Sequence, residues 1–106
     1  MLAISTDRNT GEGDVSVRAA RAPYYLIYDE QGNLLETLKN PFAIGGGGSG
    51  FSVAKMLADK GVDTFIAGEI GGNMAGALEG RGIRHIGRNG TVAEALELIV
   101  HDRSNT

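Results

Sequence analysis

The sequence predicts an α/β fold in which a five-stranded mixed sheet carries helices on its faces. Three observations predict it: two β-rich runs flank residues 30–33, helical patterns alternate with short β-rich runs after residue 48, and glycines cluster between these segments. Glycine clusters between periodic segments are typical of tight turns and close backbone approach. The predicted element order is βββαβαβα within one domain, residues 1–106.

The first half of the chain predicts a strand, a long loop and a β-hairpin. Residues 1–5 are apolar and predict the first strand, and the polar residues 6–23 predict a loop of a length that is usually functional. The run YYLIYDEQGNLLETLKN predicts a hairpin that turns at residues 30–33 and ends at Asn40-Pro41. Strand 1 is expected to be antiparallel to strand 2 and parallel to strands 4 and 5.

The second half predicts helices in alternation with short strands. After the glycine-rich loop, apolar residues at helical spacing predict a helix with Ser49 or Ser52 as its N-cap and Gly61 at its end. Residues 62–67 and 82–86 predict strands, and residues 73–79 predict a short helix between them. Thr91, followed by Glu94, predicts a capping box at the start of a last helix.

The predicted topology also indicates where a ligand would bind. Sheets of this kind bind ligands at the carboxyl ends of their parallel strands. The loops at residues 6–23, 68–73 and 87–90 are therefore expected to converge on one concave rim, whereas the face reached by the glycine-rich loop depends on where strand 3 ends.

Composition excludes several classes of function. Ten Lys and Arg against thirteen Asp and Glu give a net charge of −3, without the basic cluster expected of a nucleic-acid-binding protein. No apolar run approaches the ~20 residues that span a bilayer, and the first residues do not resemble a secretory signal. A cytoplasmic protein that binds neither nucleic acid nor membrane is expected. Cysteine is absent and only two histidines are present, so thiolate ligands and thiolate nucleophiles are excluded.

The glycine-rich run AIGGGGSGF, residues 43–51, leaves several interpretations open. It matches G-x-G-x-x-G literally, but it follows a hairpin and lacks the lysine of a phosphate-binding P-loop. Its glycines serve either a tight helix entry alone or the binding of an anion to backbone N–H groups. A cation-dependent nuclease built on Asp7, with Asp63 and Glu69, ranks far behind, and His85 is interpreted as a structural residue.

A series of short segments stands in order along nearly the whole chain: Arg21-Ala22-Pro23-Tyr24-Tyr25, Asn40-Pro41, the glycine-rich run 45–50, Gly61-Val62-Asp63, Ile66-Ala67-Gly68, Gly71-Gly72-Asn73, Ala77-Leu78, Gly82-Ile83 and Gly90-Thr91-Val92. Together they resemble the dinitrogenase iron–molybdenum cofactor biosynthesis family of nitrogenase accessory factors. The resemblance implies a ribonuclease H-like three-layer fold. It also implies a non-enzymatic carrier or accessory protein that binds an iron–molybdenum cofactor, its precursor or a related anionic metal–sulfur cluster and works with a cluster-assembly or acceptor protein.

The chain departs from this family in the long loop. Many members read S-x-H-F-G-R-A-P where this chain reads SVRAARAP, residues 16–23, so that Arg18 replaces the usual histidine; members also often carry proline in place of Gly72. A cluster would then have to be bound by arginines and backbone N–H groups. The residues expected to bind it are Ser16, Arg18, Arg21, Gly46, Gly47, Gly48, Gly71 and Asn73. The alternative is a protein-interaction module of a cluster-assembly system that binds no cofactor.

Overall fold

The computed structural model describes residues 1–44 and 48–104, with side chains described up to Val100. Its elements are β1 (Leu2–Thr6), β2 (Tyr24–Tyr28), β3 (Leu34–Lys39), α1 (Ser49–Asp59), β4 (Thr64–Ala67), α2 (Gly72–Glu79), β5 (Arg84–Gly87) and α3 (Val92–Ser104). The predicted order βββαβαβα is confirmed. Within the described part of the chain, none of the helices has the length and apolar character that crossing a bilayer requires.

The five strands form one mixed sheet in the order β3-β2-β1-β4-β5. β2 is antiparallel to both β1 and β3, whereas β4 is parallel to both β1 and β5. The strand directions predicted from the sequence are therefore correct. β1 lies at the centre, and all five of its residues are buried because both faces of the sheet are covered.

Alternation along the strands divides the core into two layers of side chains. Ala3 of β1 packs toward α1 and α2, and its neighbours Leu2 and Ile4 pack toward α3. The layer under α1 and α2 includes Tyr25, Ile27, Phe65, Val53, Leu57 and Leu78. The layer under α3 includes Leu26, Ile66, Val92, Ala95 and Ile99. The result is the three-layer α/β arrangement implied by a ribonuclease H-like fold.

Several element boundaries differ from the predictions. Neither Ser49 nor Ser52 caps α1: the N-cap is Gly48, whose φ of 85° lies in the left-handed region that glycine adopts without strain. β4 begins at Thr64 and not at residue 62, because the N–H of Val62 still donates to Leu57 at the end of α1. The predicted cap of α3 is correct, since the Glu94 N–H donates to Thr91 Oγ1 at 3.1 Å.

The strand register places the connections that follow four of the strands at the same end of the sheet. Thr6 pairs with Tyr24, which in turn pairs with Lys39, so β3 ends level with β1. Ala67 pairs with Gly87 at the ends of the parallel strands β4 and β5. The carboxyl ends of β1, β3, β4 and β5 therefore share one edge, called here the carboxyl edge. The loop that enters α1 starts there as well, which the sequence had left open.

Candidate functional site

A cavity of about 550 Å³ opens at the carboxyl edge. It lies between the loop that follows β1, the start of α1 and the turn from β4 into α2. Its described lining residues are Ala19, Ala20, Arg21, Gly48, Ser49, Gly50, Phe51, Glu69, Gly71, Gly72, Asn73 and Met74.

Two helices start on this cavity. The first three residues of α1 and of α2 line it, and the N-caps of both helices are glycines without a side-chain cap among the described residues. The first turn of a helix carries backbone N–H groups without intrahelical partners and a partial positive charge. Two such starts facing one cavity provide N–H donors and a positive potential, which together suit an anionic ligand.

Glycines allow the two helix starts to come this close. A Cβ atom on Gly50 would lie 3.2 Å from the Cα atom of Met74, so a side chain there would press α1 against α2. Gly71 and Gly72 differ, because a Cβ on either would meet nothing described within 4 Å. Packing does not require glycine at these two positions. The absence of a side chain leaves the backbone N–H groups accessible from the cavity.

Arg21 supplies a positive side chain to the cavity. Asn40 fixes the backbone on both sides of Arg21, because its Nδ2 atom donates to the carbonyls of Ala20 and Ala22 at 2.9 Å each. The hydroxyl of Tyr25 donates to the carbonyl of Ala19. Burial raises the pKa of the Tyr25 hydroxyl, so it stays protonated as a donor. These contacts fix the backbone that carries Arg21.

Ser16 holds the loop in place but does not line the cavity. It is 1% exposed, and its hydroxyl donates to Asp7 Oδ1 at 2.8 Å. Its carbonyl accepts the N–H of Gly68 at 2.8 Å, which ties the loop to the end of β4. Arg18 forms an ion pair with the same Asp7 oxygen at 3.1 Å.

Arg18 faces a second depression beside the cavity, called here the basic groove, with a volume of about 480 Å³. Arg21 lines both the groove and the cavity. The described residues of the basic groove are Arg18, Arg21, Pro23, Tyr24, Lys39, Asn40, Pro41, Ala43 and Ile44.

The donor set of the cavity fits an anion held by hydrogen bonds. Backbone N–H groups, the Arg21 guanidinium, the Ser49 hydroxyl and the Asn73 amide are donors, and Glu69 is the one carboxylate among the described lining residues. No group of three or more His, Cys, Asp or Glu that could hold a metal ion occurs among the described residues. An anion bound here would be held mainly by hydrogen bonds to its outer atoms.

The structure places the residues predicted for the site as follows. Arg21, Gly48, Gly71 and Asn73 line the cavity, Arg18 lines the basic groove, and Ser16 lies in the loop behind them. Gly46 and Gly47 lie outside the described residues.

The turn after β5 does not contribute to the cavity among the described residues, contrary to the expected rim. It packs instead against the end of β4, where a Cβ on Gly68 would lie 2.8 Å from the side-chain oxygen of Asn89.

Sequence reasoning did not assign Glu69, Ser49 or Lys39 to this region. Glu69 was considered only as a metal ligand of a nuclease, although its place directly after β4 already put it at the carboxyl edge. Ser49 was expected to cap α1 but lines the cavity from the first turn. Lys39 enters the basic groove because it ends β3, and a correct hairpin register would have placed it beside Tyr24.

The three carboxylates of the nuclease interpretation do not lie together, because Asp63 is at the other end of the sheet. Asp7 follows the carboxyl end of β1, whereas Asp63 precedes β4 at the opposite edge and lies 3.1 Å from the amino-terminal nitrogen of Met1. His85 lies 2.9 Å from a carboxylate oxygen of Glu79 at the end of α2, which agrees with a structural role.

Comparisons with known proteins agree with the fold and the sequence pattern. The sequence matches the family described as dinitrogenase iron-molybdenum cofactor over residues 1–102. A putative NifB protein from Thermotoga is 36% identical, with 96% of this chain and 88% of that chain covered and a TM-score of 0.78.

The apo form of the orange protein from Desulfovibrio gigas shares the fold at 23% identity, with a TM-score of 0.84 over 96% of this chain and 88% of that chain. No curated protein matches the sequence significantly. The match over residues 1–102 and the Thermotoga relative show that the chain belongs to the dinitrogenase iron-molybdenum cofactor family.

Proposed function

We propose that this chain is a non-enzymatic carrier or accessory protein that binds an iron–molybdenum cofactor, one of its precursors or a related anionic metal–sulfur cluster. The family to which the chain belongs supports a role connected with this cofactor. The observation that carries the proposal is the convergence of two uncapped helix starts and Arg21 on one cavity.

The cavity suits a ligand of this class in size and in polarity. Its volume of about 550 Å³ lies within the range of small-molecule and cofactor sites. Backbone N–H groups at residues 49–51 and 72–74 donate to sulfur or oxygen atoms on the cluster surface, and the Arg21 guanidinium balances negative charge. Gly48 and Gly71 allow close approach of the backbone, and Gly46 and Gly47 stay predicted backbone contacts to the ligand.

Binding without metal–ligand bonds suits a protein that passes its ligand on. Arg18 stands where many family members carry histidine, and the chain has no cysteine. The cluster is then held by hydrogen bonds and charge, so its release requires no ligand exchange at a metal. Such binding leaves the visible absorption spectrum of the cluster close to that of the isolated species.

The test is anaerobic addition of isolated iron–molybdenum cofactor, followed by gel filtration with detection of visible absorption. We expect an absorption band that co-elutes with the protein and weakens strongly in Arg21→Gln. Arg84→Gln is the matched control, because Arg84 starts β5 at the edge opposite the cavity. The proposal is wrong if no band co-elutes with the native chain, or if both variants retain it equally.

A second variant tests the absence of direct coordination. Arg18→His restores the side chain that many family members carry at this position, next to the cavity. We expect this variant to bind the cluster with a changed absorption spectrum, whereas the native chain leaves the spectrum unchanged. A large spectral change on binding to the native chain would instead indicate a direct protein ligand such as Glu69.

A further inference from the structure

We propose that the basic groove docks an acidic, extended segment of the protein that delivers the cluster to the cavity or receives it. This proposal rests on the proposed function, because it assigns a partner to the same edge of the sheet. The groove also contains residues that do not line the cavity, among them Lys39 and Ile44, so the two proposals can be tested separately.

The charge of the groove is opposite in sign to the net charge of the chain. Arg18, Arg21 and Lys39 line it, and none of its described lining residues is acidic, although the whole chain carries a net charge of −3. A local concentration of positive charge on an acidic protein attracts carboxylates and disfavours basic partners.

The carboxylate that pairs with Arg18 can exchange for one of a partner. Asp7 pairs with Arg18 at 3.1 Å, but the two side chains are 58% and 57% exposed. Ion pairs as exposed as this one contribute little to stability and are screened by salt. A carboxylate of an incoming segment can therefore replace Asp7 at Arg18 at small cost.

Exposed apolar residues favour a protein partner over a small anion. Ile44 lines the groove and is 94% exposed, and Phe51 lines the adjoining cavity and is 64% exposed. Val17, beside Arg18 in the chain, is 55% exposed. Apolar and aromatic side chains around arginines are typical of protein interfaces. A phosphate or a small carboxylate would leave these side chains uncovered.

Arg21 is shared between the basic groove and the proposed cluster site. It lines both the groove and the cavity, so a segment in the groove approaches the same residue that is proposed to bind the cluster. A carboxylate of the docked segment competes with the cluster for this charge. Docking at this position therefore weakens the hold on the cluster at the moment when a partner is present to accept it.

The test uses metal-free protein and a short synthetic peptide of alternating glutamate and leucine, followed by NMR chemical shifts of the backbone amides. We expect the peptide to shift the amides of the non-proline residues within 18–24 and 39–44. A peptide of alternating lysine and leucine is expected to cause no such shifts. Inorganic phosphate is the third probe, and it is expected not to displace the peptide at equal concentration.

Lys39→Glu combined with Ile44→Ser reverses one charge and removes one apolar contact in the groove without changing the described lining of the cavity. We expect this variant to bind the glutamate–leucine peptide about tenfold more weakly. Arg84→Glu combined with Leu98→Ser, two exposed positions outside the groove, is the matched control and is expected to bind as the native chain does. Equal binding by both variants, or displacement of the peptide by phosphate, would overturn the docking proposal.

Cluster binding separates this proposal from the proposed function. We expect the groove variant to retain the co-eluting absorption band while it loses the peptide. Loss of the band together with unchanged peptide binding would contradict the docking proposal, because the groove residues would then serve the cluster. Peptide binding that follows the expected pattern in a chain that binds no cluster would refute the proposed function and leave the groove as a docking site for an acidic segment whose protein carries no cluster.

Discussion

The side-chain nitrogen of Asn40 lies 3.1 Å from the hydroxyl oxygen of Tyr25, and both residues are buried beneath the loop that carries Arg21. Asn40 is 4% exposed and also donates to two carbonyls of that loop. Because buried carbonyls need donors, the position of Arg21 depends on a residue nineteen positions further along the chain.

Asn40→Ala tests this dependence. The change leaves the carbonyls of Ala20 and Ala22 without their side-chain donor, so we expect the free energy of unfolding to fall by about 1–3 kcal/mol. Urea denaturation measures this loss, and cluster binding is expected to weaken as well because Arg21 is no longer held. Asn9→Ala, at an exposed loop position, serves as the control. Equal stability of the two variants would show that the hydrogen bonds of Asn40 do not stabilise this loop.

The effect of Tyr25→Phe on the free energy of unfolding is expected to differ between neutral and alkaline pH. Burial raises the pKa of Tyr25 above its unfolded value, so the neutral hydroxyl stabilises the fold below the unfolded pKa and this contribution is lost as the pH rises. We expect the variant to be less stable at neutral pH, because the bond to Ala19 is lost. The difference is expected to shrink at about pH 11, above the unfolded pKa of tyrosine. A constant difference in unfolding free energy at both values would contradict this cause.

Gly68 is required by close packing. A Cβ at this position would lie 2.7 Å from the Cα of Val17, so Gly68→Ala must displace the loop from the end of β4. We expect a loss of about 1–3 kcal/mol in the free energy of unfolding. Gly76→Ala is the contrasting variant, since nothing described lies within 4 Å and alanine favours the helix by about 1 kcal/mol. Thermal denaturation that ranks the two variants in the opposite order would refute this account.

The capping box of α3 predicts a response to acid. Hydrogen bonds from the backbone and side chain of Thr91 lower the pKa of Glu94, so the ionised carboxylate stabilises the fold above its unfolded pKa. This contribution is lost as the pH falls through the lowered pKa of the folded state. We expect Glu94→Gln to be less stable than the native chain at neutral pH and equally stable in acid. A pH-independent difference in unfolding free energy would contradict this linkage.

Glu69 places a negative charge on a cavity proposed to bind an anion. Glu69→Gln removes this charge, and we expect cluster affinity to rise by about fivefold at low salt. Visible absorption at increasing cluster concentration measures the affinity, with Glu97→Gln on α3 as the control. A lower affinity in Glu69→Gln would indicate that the carboxylate binds the cluster metal directly.

Local patterns predicted most of the secondary structure. The capping pair Thr91 and Glu94, the turn at residues 30–33 and the apolar spacing of α1 are properties of short segments, and each appears as expected. The predicted serine cap of α1 was wrong because sequence patterns do not show that Gly48 takes a left-handed conformation. The cavity was only partly predictable, since Glu69 and Ser49 join it through the packing of separate elements.

The sequence by itself determined the element order, the strand directions and the family, because these follow from periodicity, turn residues and short segments in register. Only the tertiary structure decided that the starts of α1 and α2 meet at one cavity, that Arg21 faces it and that Asn40 holds the backbone around Arg21. The physical reason is that helix starts and buried hydrogen bonds acquire their partners through sheet register and close packing. Those contacts join residues that lie far apart in the chain.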